Sequence, residues 1–210
     1  MTKIYRYILD TDCGMAPCFD AGIISLATCK PGIRKQARKG DWVAGFWPGS
    51  KNWGLLVWAG QVAQSMPTGE YHRSHSKRQD AVYRELRDGN FGRLKPGYHC
   101  DPKQMERDVR NPVLLFDRSA NWYFGTNPRE LPESLKHLSA RGQGYRGNFR
   151  KDGDLERWSA WLREFAPGVR GKPRDELILC PGCINCTKSR ALPRVGCNVR
   201  KIPTRAPKRC

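Results

Sequence analysis

Basic and aromatic residues are concentrated between positions 26 and 47 of the sequence. Lys30, Arg34 and Lys35 come first, and Trp42 and Trp47 follow after the turn-forming residues Lys39-Gly40-Asp41. A cationic loop that leads into an aromatic strand suits a polyanion that carries flat rings, and nucleic acid is such a partner. A solvated basic loop beside an ordinary core strand is the alternative.

A second segment, residues 141–150, combines glycine, arginine and aromatic residues. Glycines allow a backbone to pass close to a ligand, and the guanidinium fork suits phosphate or a guanine edge. Its spacing matches neither a Rossmann nor a P-loop phosphate site, which argues against a nucleotide hydrolase. The predicted binding residues in this segment are Arg141, Gly142, Gly144, Tyr145, Arg146, Asn148, Phe149 and Arg150.

Four cysteines near the end of the sequence have a spacing that could bind metal. Cys180, Cys183, Cys186 and Cys197 could together form a small tetrahedral zinc knuckle. Unligated thiols beside a basic tail are the alternative. Zinc is the only cofactor that the sequence predicts.

An enzyme is the competing interpretation of the chain. It would require polar residues to converge, and the candidates are Asp12, Cys29, Asp41 and His99. A cysteine nucleophile needs a histidine base nearby, and the sequence does not place the two together. A third possibility is an interaction protein whose positive charge contacts an acidic protein partner.

Composition limits the class of protein. The 210 residues carry a formal net charge of +18, and the segment 187–210 contains eight Lys or Arg residues and no Asp or Glu. Such a charge attracts anions without selecting a sequence. No apolar run is long enough for a membrane span, no secretory signal is apparent, and we expect a cytoplasmic protein whose cysteines are thiols or metal ligands.

The hydrophobic pattern predicts an α+β fold with a mixed, largely antiparallel sheet. Apolar runs predict strands near residues 4–9, 23–27, 41–47, 54–62 and 113–117. The polar, basic composition of residues 71–94 predicts a segment that runs over the surface. Asp101-Pro102 is typical of a helix start, and residues 154–165 predict an amphipathic helix packed on the sheet. We expect a domain over 1–170 and a basic, cysteine-containing tail over 171–210.

Four short motifs occur here in the order seen in one family. They are LATCKPGIRK at 26–35, GDWV at 40–43, WYFG at 122–125 and GQGYRGNF at 142–149. The chain resembles the nucleotide modification associated domain of the second type, found in bacteria and phages, over residues 3–165. The strand order also resembles PUA-like barrels, which hold a flipped or modified base, so a PUA-like barrel is the alternative fold.

This resemblance implies involvement with modified bases, in a bacterial or phage DNA-modification or defence setting. The family usually has a histidine where this sequence has Tyr145, and an unperturbed tyrosine is a poor general base at neutral pH. The sequence therefore predicts recognition of nucleic acid, DNA foremost, or of a nucleotide. The alternative is an enzyme that installs, trims or removes a base modification.

Overall fold

The computed structural model describes residues 2–20, 22–94, 98–142 and 144–177. Eleven strands and four α-helices are formed in this part of the chain. The strands are β1 (Ile4–Ile8), β2 (Cys18–Asp20), β3 (Ile23–Leu26), β4 (Trp42–Phe46), β5 (Leu55–Met66), β6 (Tyr83–Glu85), β7 (Phe91–Arg93), β8 (Val113–Tyr123), β9 (Arg129–Glu130), β10 (Tyr145–Arg146) and β11 (Gly168–Val169). The α-helices are α1 (Pro31–Gln36), α2 (Thr68–His75), α3 (Pro102–Val109) and α4 (Asp154–Arg163).

One nine-stranded sheet organises the molecule. Its main path runs β10-β1-β4-β5-β8-β3-β2, with β9 beside β5 and β11 beside β8. The β1–β4 and β8–β11 pairs are parallel and the others are antiparallel. The prediction of a mixed, largely antiparallel α+β fold is confirmed. Among the described strands this path has two free ends, so the PUA-like barrel is not confirmed.

Hydrophobic clusters cover both faces of the sheet, because successive side chains of a strand point to opposite faces. In β4, Val43 belongs to one cluster, whereas Trp42 and Ala44 belong to the other. Helix α4 adds Trp158 and Trp161 to the second cluster, as its amphipathic pattern predicts.

Residues 71–94 differ from the predicted surface excursion. They contain part of α2 and the β6–β7 hairpin, and Tyr71 and Tyr83 are buried in two smaller clusters. Tyr71 donates a 2.6 Å hydrogen bond to Asp80, and Tyr83 donates a 3.0 Å bond to Asp108. Residues 84–90 are exposed, as predicted, whereas scattered buried tyrosines produce neither a helical nor a strand period and so leave no pattern in the sequence.

Residues 171–177 pack against the body of the domain. The backbone N–H of Asp12 donates to the Asp175 carboxylate at 2.7 Å, and Arg174 donates to the carbonyls of Leu9 and Asp10. Within the described chain, no helix has the length and apolarity that crossing a membrane requires.

Candidate functional site

The glycine-rich loop (residues 141–150) and the basic segment (residues 26–47) meet at Tyr145. Strand β10 pairs with β1, with Tyr145 opposite Tyr7, and the Tyr145 ring covers Gly32 of α1. A Cβ atom at Gly32 would lie 2.5 Å from Tyr145 Cε1, so any side chain at position 32 would require the ring to move. The Tyr145 hydroxyl and the Gln36 side-chain amide are hydrogen-bonded. The two segments singled out in the sequence therefore contact each other.

An open cavity of about 560 Å³ is lined in part by Arg141 and Gly142 of the glycine-rich loop. We call it the tryptophan cleft, and its lining residues are Ile8, Asp10, Trp47, Gly49, Ser50, Trp53, Ala140, Arg141 and Gly142. The Arg141 guanidinium lies 4.1 Å from the Trp53 ring centre, and that of Arg174 lies 5.0 Å from the Trp47 ring centre. These cation–π contacts help to position both indoles, and Trp47 also packs against the first core cluster.

A second cavity, of about 320 Å³, is lined in part by Gln36, whose side-chain amide is hydrogen-bonded to Tyr145. We call it the basic cleft, and its lining residues are Thr2, Lys3, Tyr5, Gln36, Arg38, Lys39 and Asp41. Asp41 accepts the backbone N–H groups of Lys3 and Arg38, each at 2.9 Å. This carboxylate fixes the cleft wall, and the three cationic side chains make the cleft suited to phosphate.

Two of the predicted binding residues lie inside the protein. Trp42 is 4% exposed and packs between Trp122 and Trp158, each with its ring centre 6.2 Å away. The Arg34 side chain is fully buried and forms an ion pair with Asp108 at 3.3 Å. Trp42 therefore cannot stack on a ligand, and the Arg34 guanidinium cannot reach a phosphate.

Several of the other predicted residues lie at or near the surface. Lys35, Gly144, Asn148 and Arg150 are exposed, and Phe149 is partly buried against the second core cluster. The Lys30 ammonium lies 4.5 Å from the centre of the Tyr7 ring. The backbone of Arg146 pairs with that of Arg6 in the β1–β10 ladder.

The family model for nucleotide modification associated domain 2 matches residues 1–85 and 77–179. The chain belongs to this family. The resemblance seen in the sequence is confirmed, whereas the PUA-like resemblance is not. No curated protein and no solved structure matches the chain. Membership associates the protein with nucleotide modification.

This nucleotide modification associated domain also contains a buried polar cluster around Cys29. The Cys29 sulfur lies 3.3 Å from His99 Nε2, and His99 Nδ1 lies 2.6 Å from an Asp108 carboxylate oxygen. Asp108 is 79 residues from Cys29 in the chain, and no sequence pattern points to it. We call these three residues the thiol cluster.

The four candidate residues of the enzyme interpretation lie in different parts of the fold. Cys29 and His99 meet in the thiol cluster, whereas Asp41 lies in the wall of the basic cleft. Asp12 is buried and accepts a 2.7 Å hydrogen bond from the Tyr123 hydroxyl. Burial raises the pKa of Asp12, against the opposing effect of this hydrogen bond.

The predicted zinc ligands Cys180, Cys183, Cys186 and Cys197 lie outside the described residues. Within the described ranges, no group of three or more His, Cys, Asp or Glu side chains is arranged to hold a metal ion.

Proposed function

We propose that this domain binds a nucleic acid or nucleotide, with a base in the tryptophan cleft and phosphate in the basic cleft. The observation that carries the proposal is that the exposed Trp53, the half-buried Trp47 and Arg141 line one cavity. Indole faces stack on any base, and a guanidinium can contact either a phosphate or a base edge. The family assignment supports a ligand of this class.

The glycine-rich loop joins the two clefts. Gly142 lines the tryptophan cleft, and the Tyr145 hydroxyl contacts Gln36, which lines the basic cleft. A nucleotide strand lying along this loop would place its base and its phosphates in chemically matched surroundings. The net charge of +18 favours its capture.

The finer proposal is that the base is a modified one in DNA, in a bacterial or phage modification or defence setting. Asp10 lines the tryptophan cleft and offers carboxylate oxygens to an N–H or O–H donor. A hydroxymethyl group on a pyrimidine supplies such a donor.

Fluorescence anisotropy with labelled oligonucleotides tests the proposal. The oligonucleotides carry cytosine or 5-hydroxymethylcytosine, and each titration is repeated at several salt concentrations. Affinity should fall steeply with salt, because bound cations release counterions from the phosphates. Absence of salt-dependent binding to every oligonucleotide would contradict the proposal.

Two variants locate the binding site. Trp53→Ala should weaken binding by about 1–3 kcal/mol, roughly 5- to 150-fold, which is the usual contribution of one stacked base. Arg141→Ala should weaken it as well. Arg84→Ala is the matched control for charge, because Arg84 is exposed on β6 in a separate two-stranded sheet. Equal losses for Arg141→Ala and Arg84→Ala would show that only net charge matters.

A further inference from the structure

We propose that Cys29, His99 and Asp108 form a nucleophilic catalytic site that transfers or hydrolyses an acyl group held in an ester or amide. This proposal is independent of nucleic-acid binding. The sulfur lies 3.3 Å from the imidazole, and the imidazole lies 2.6 Å from the carboxylate. The imidazole uses Nε2 toward the sulfur and Nδ1 toward the carboxylate, which is the order that activates a nucleophile in triad enzymes.

The backbone around Cys29 supports this assignment. Cys29 lies in the turn between β3 and α1, with φ of 58° at Cys29 and 44° at Lys30. Left-handed conformations are unfavourable for such side chains and concentrate at functional sites. A nucleophile on a strained turn from strand to helix is also the arrangement in α/β-hydrolases, although their Gly-x-Ser-x-Gly motif is absent from this turn.

Asp108 holds the nucleophile and the base together. One carboxylate oxygen accepts the Cys29 backbone N–H at 2.9 Å and an Arg34 N–H at 3.3 Å. The other oxygen contacts His99 and accepts the Tyr83 hydroxyl at 3.0 Å. A carboxylate bound in this way sets the position of the imidazole relative to the thiol.

Tyr98 adds a hydroxyl beside the sulfur. Its oxygen lies 3.9 Å from Cys29 Sγ and 3.1 Å from Thr28 Oγ1. The Tyr98 ring stacks on His99 with ring centres 4.3 Å apart. A hydroxyl in this place can donate to the oxyanion that forms when sulfur attacks a carbonyl.

The reaction balances with water as the only co-reactant. His99 accepts the thiol proton while sulfur bonds to the acyl carbon. The carbon–oxygen or carbon–nitrogen bond of the substrate then breaks, and the leaving alcohol or amine takes the proton from His99. Water attacks the resulting thioester and gives its proton to His99, which returns it to the departing sulfur, leaving a carboxylic acid and free Cys29.

The limited exposure of the pair restricts the substrate. Cys29 is 5% exposed, and the side chain of His99 is 10% exposed. A small acyl group can approach so little exposed a sulfur more readily than a bulky one, so p-nitrophenyl acetate is a suitable probe.

The test follows acetylation of each cysteine in the full chain by peptide-mapping mass spectrometry. Native protein is compared with protein unfolded in urea at the same pH. We expect Cys29 to be acetylated at least about tenfold faster in the native protein, because the fold supplies its base. Cys18, which is fully buried, should be slower in the native protein. If Cys29 is acetylated more slowly in the native protein than in the unfolded protein, the proposal is wrong, and this comparison needs no variant.

His99→Gln removes the base and should slow acetylation of Cys29 about 100-fold. His75→Gln is the matched control, since His75 stacks on Tyr71 away from the thiol cluster. Circular dichroism confirms that each variant is folded. Unchanged acetylation in folded His99→Gln would also overturn the proposal.

Asp108 is tested as a positioning residue through the pH profile of the same reaction. Asp108→Asn should slow acetylation and also displace its pH profile, whereas loss of packing alone would leave the profile in place. The ionisable groups around the Cys29–His99 pair include Tyr7, Arg34, Tyr83, Arg93, Tyr98 and Asp108. A folded Asp108→Asn protein with an unaltered profile would remove Asp108 from the catalytic site.

Discussion

Replacing Arg34 by methionine should strongly destabilise the protein, although the sequence alone suggested a phosphate-binding role. The Arg34 side chain is fully buried and donates to the carbonyls of Asp108, Asn111 and Pro112 at 2.7, 2.8 and 2.9 Å. It also pairs with the Asp108 carboxylate. Removal of one partner leaves the other charge buried, which costs about 3–5 kcal/mol. In a domain of this size, that loss corresponds to a Tm decrease of about 6–20 °C.

Urea unfolding and a thermal melt measure the loss, and the neighbouring lysine provides the control. Lys35→Met removes the same charge from an exposed position of the same helix, and it should change the free energy of unfolding by less than about 0.5 kcal/mol. Arg34→Met should destabilise the protein without a specific effect on oligonucleotide affinity in the folded fraction. Equal stabilities for the two variants, with lost affinity in Arg34→Met, would refute this reasoning.

Three further predictions concern other parts of the chain. Burial would raise the pKa of Asp154, but hydrogen bonds from His137 and from backbone N–H groups lower it from 3.8 to about 2. The ionised Asp154 carboxylate therefore stabilises the fold above about pH 4, and this stabilisation is lost as the pH falls toward 2. The difference in urea midpoint between wild type and Asp154→Asn should shrink as the pH falls from about 4 to about 2. A difference that stays constant would contradict this prediction. Gly32→Ala should cost about 1–3 kcal/mol through overlap with Tyr145, and Tyr145→Ala should recover part of that loss in a double-mutant cycle. For the tail, the cysteine spacing predicts that metal analysis finds about one zinc ion per chain and that Cys183→Ser loses it. Wild-type protein without bound metal would show that the zinc site does not exist.

Elements defined by local patterns could be predicted from the sequence. Helix α4 was predicted because its apolar residues recur at helical spacing and its end is marked by Pro167-Gly168. The start of α3 was predicted from Asp101-Pro102, and the Asp101 side chain accepts the backbone N–H of Lys103 at 2.9 Å. Such signals depend on neighbours in the chain, so they need no knowledge of the tertiary structure.

The roles of the tryptophans could not be assigned in the same way. Strand β4 is buried on both faces, so alternation does not reveal whether Trp42 faces the core or a ligand. Trp47 follows the strand and reaches the tryptophan cleft. Trp53 was missed, although it comes directly after the turn-rich residues 48–52 and is 36% exposed. A tryptophan beside a surface turn is the signal that could have found it.

The inward direction of Arg34 could not be read from charge, because its partner is far away in the chain. Asp108 lies 74 residues from Arg34, near the end of a helix whose other residues are mostly polar. A single buried carboxylate leaves no periodic trace. Basic residues of one short segment therefore separate into a buried structural arginine and exposed ligand candidates, and only tertiary contacts make that division.

Helix α1 connects the proposed binding and catalytic sites. It has six residues, too few for a stable helix in isolation, so tertiary contacts must fix its position. On the buried side of the helix, Arg34 forms an ion pair with Asp108. On another side, the Tyr145 ring packs over Gly32. The turn that carries Cys29 leads directly into this helix. Because Asp108 binds both Arg34 and the Cys29 backbone, one buried ion pair sets the position of the nucleophile and of the wall against which the glycine-rich loop packs.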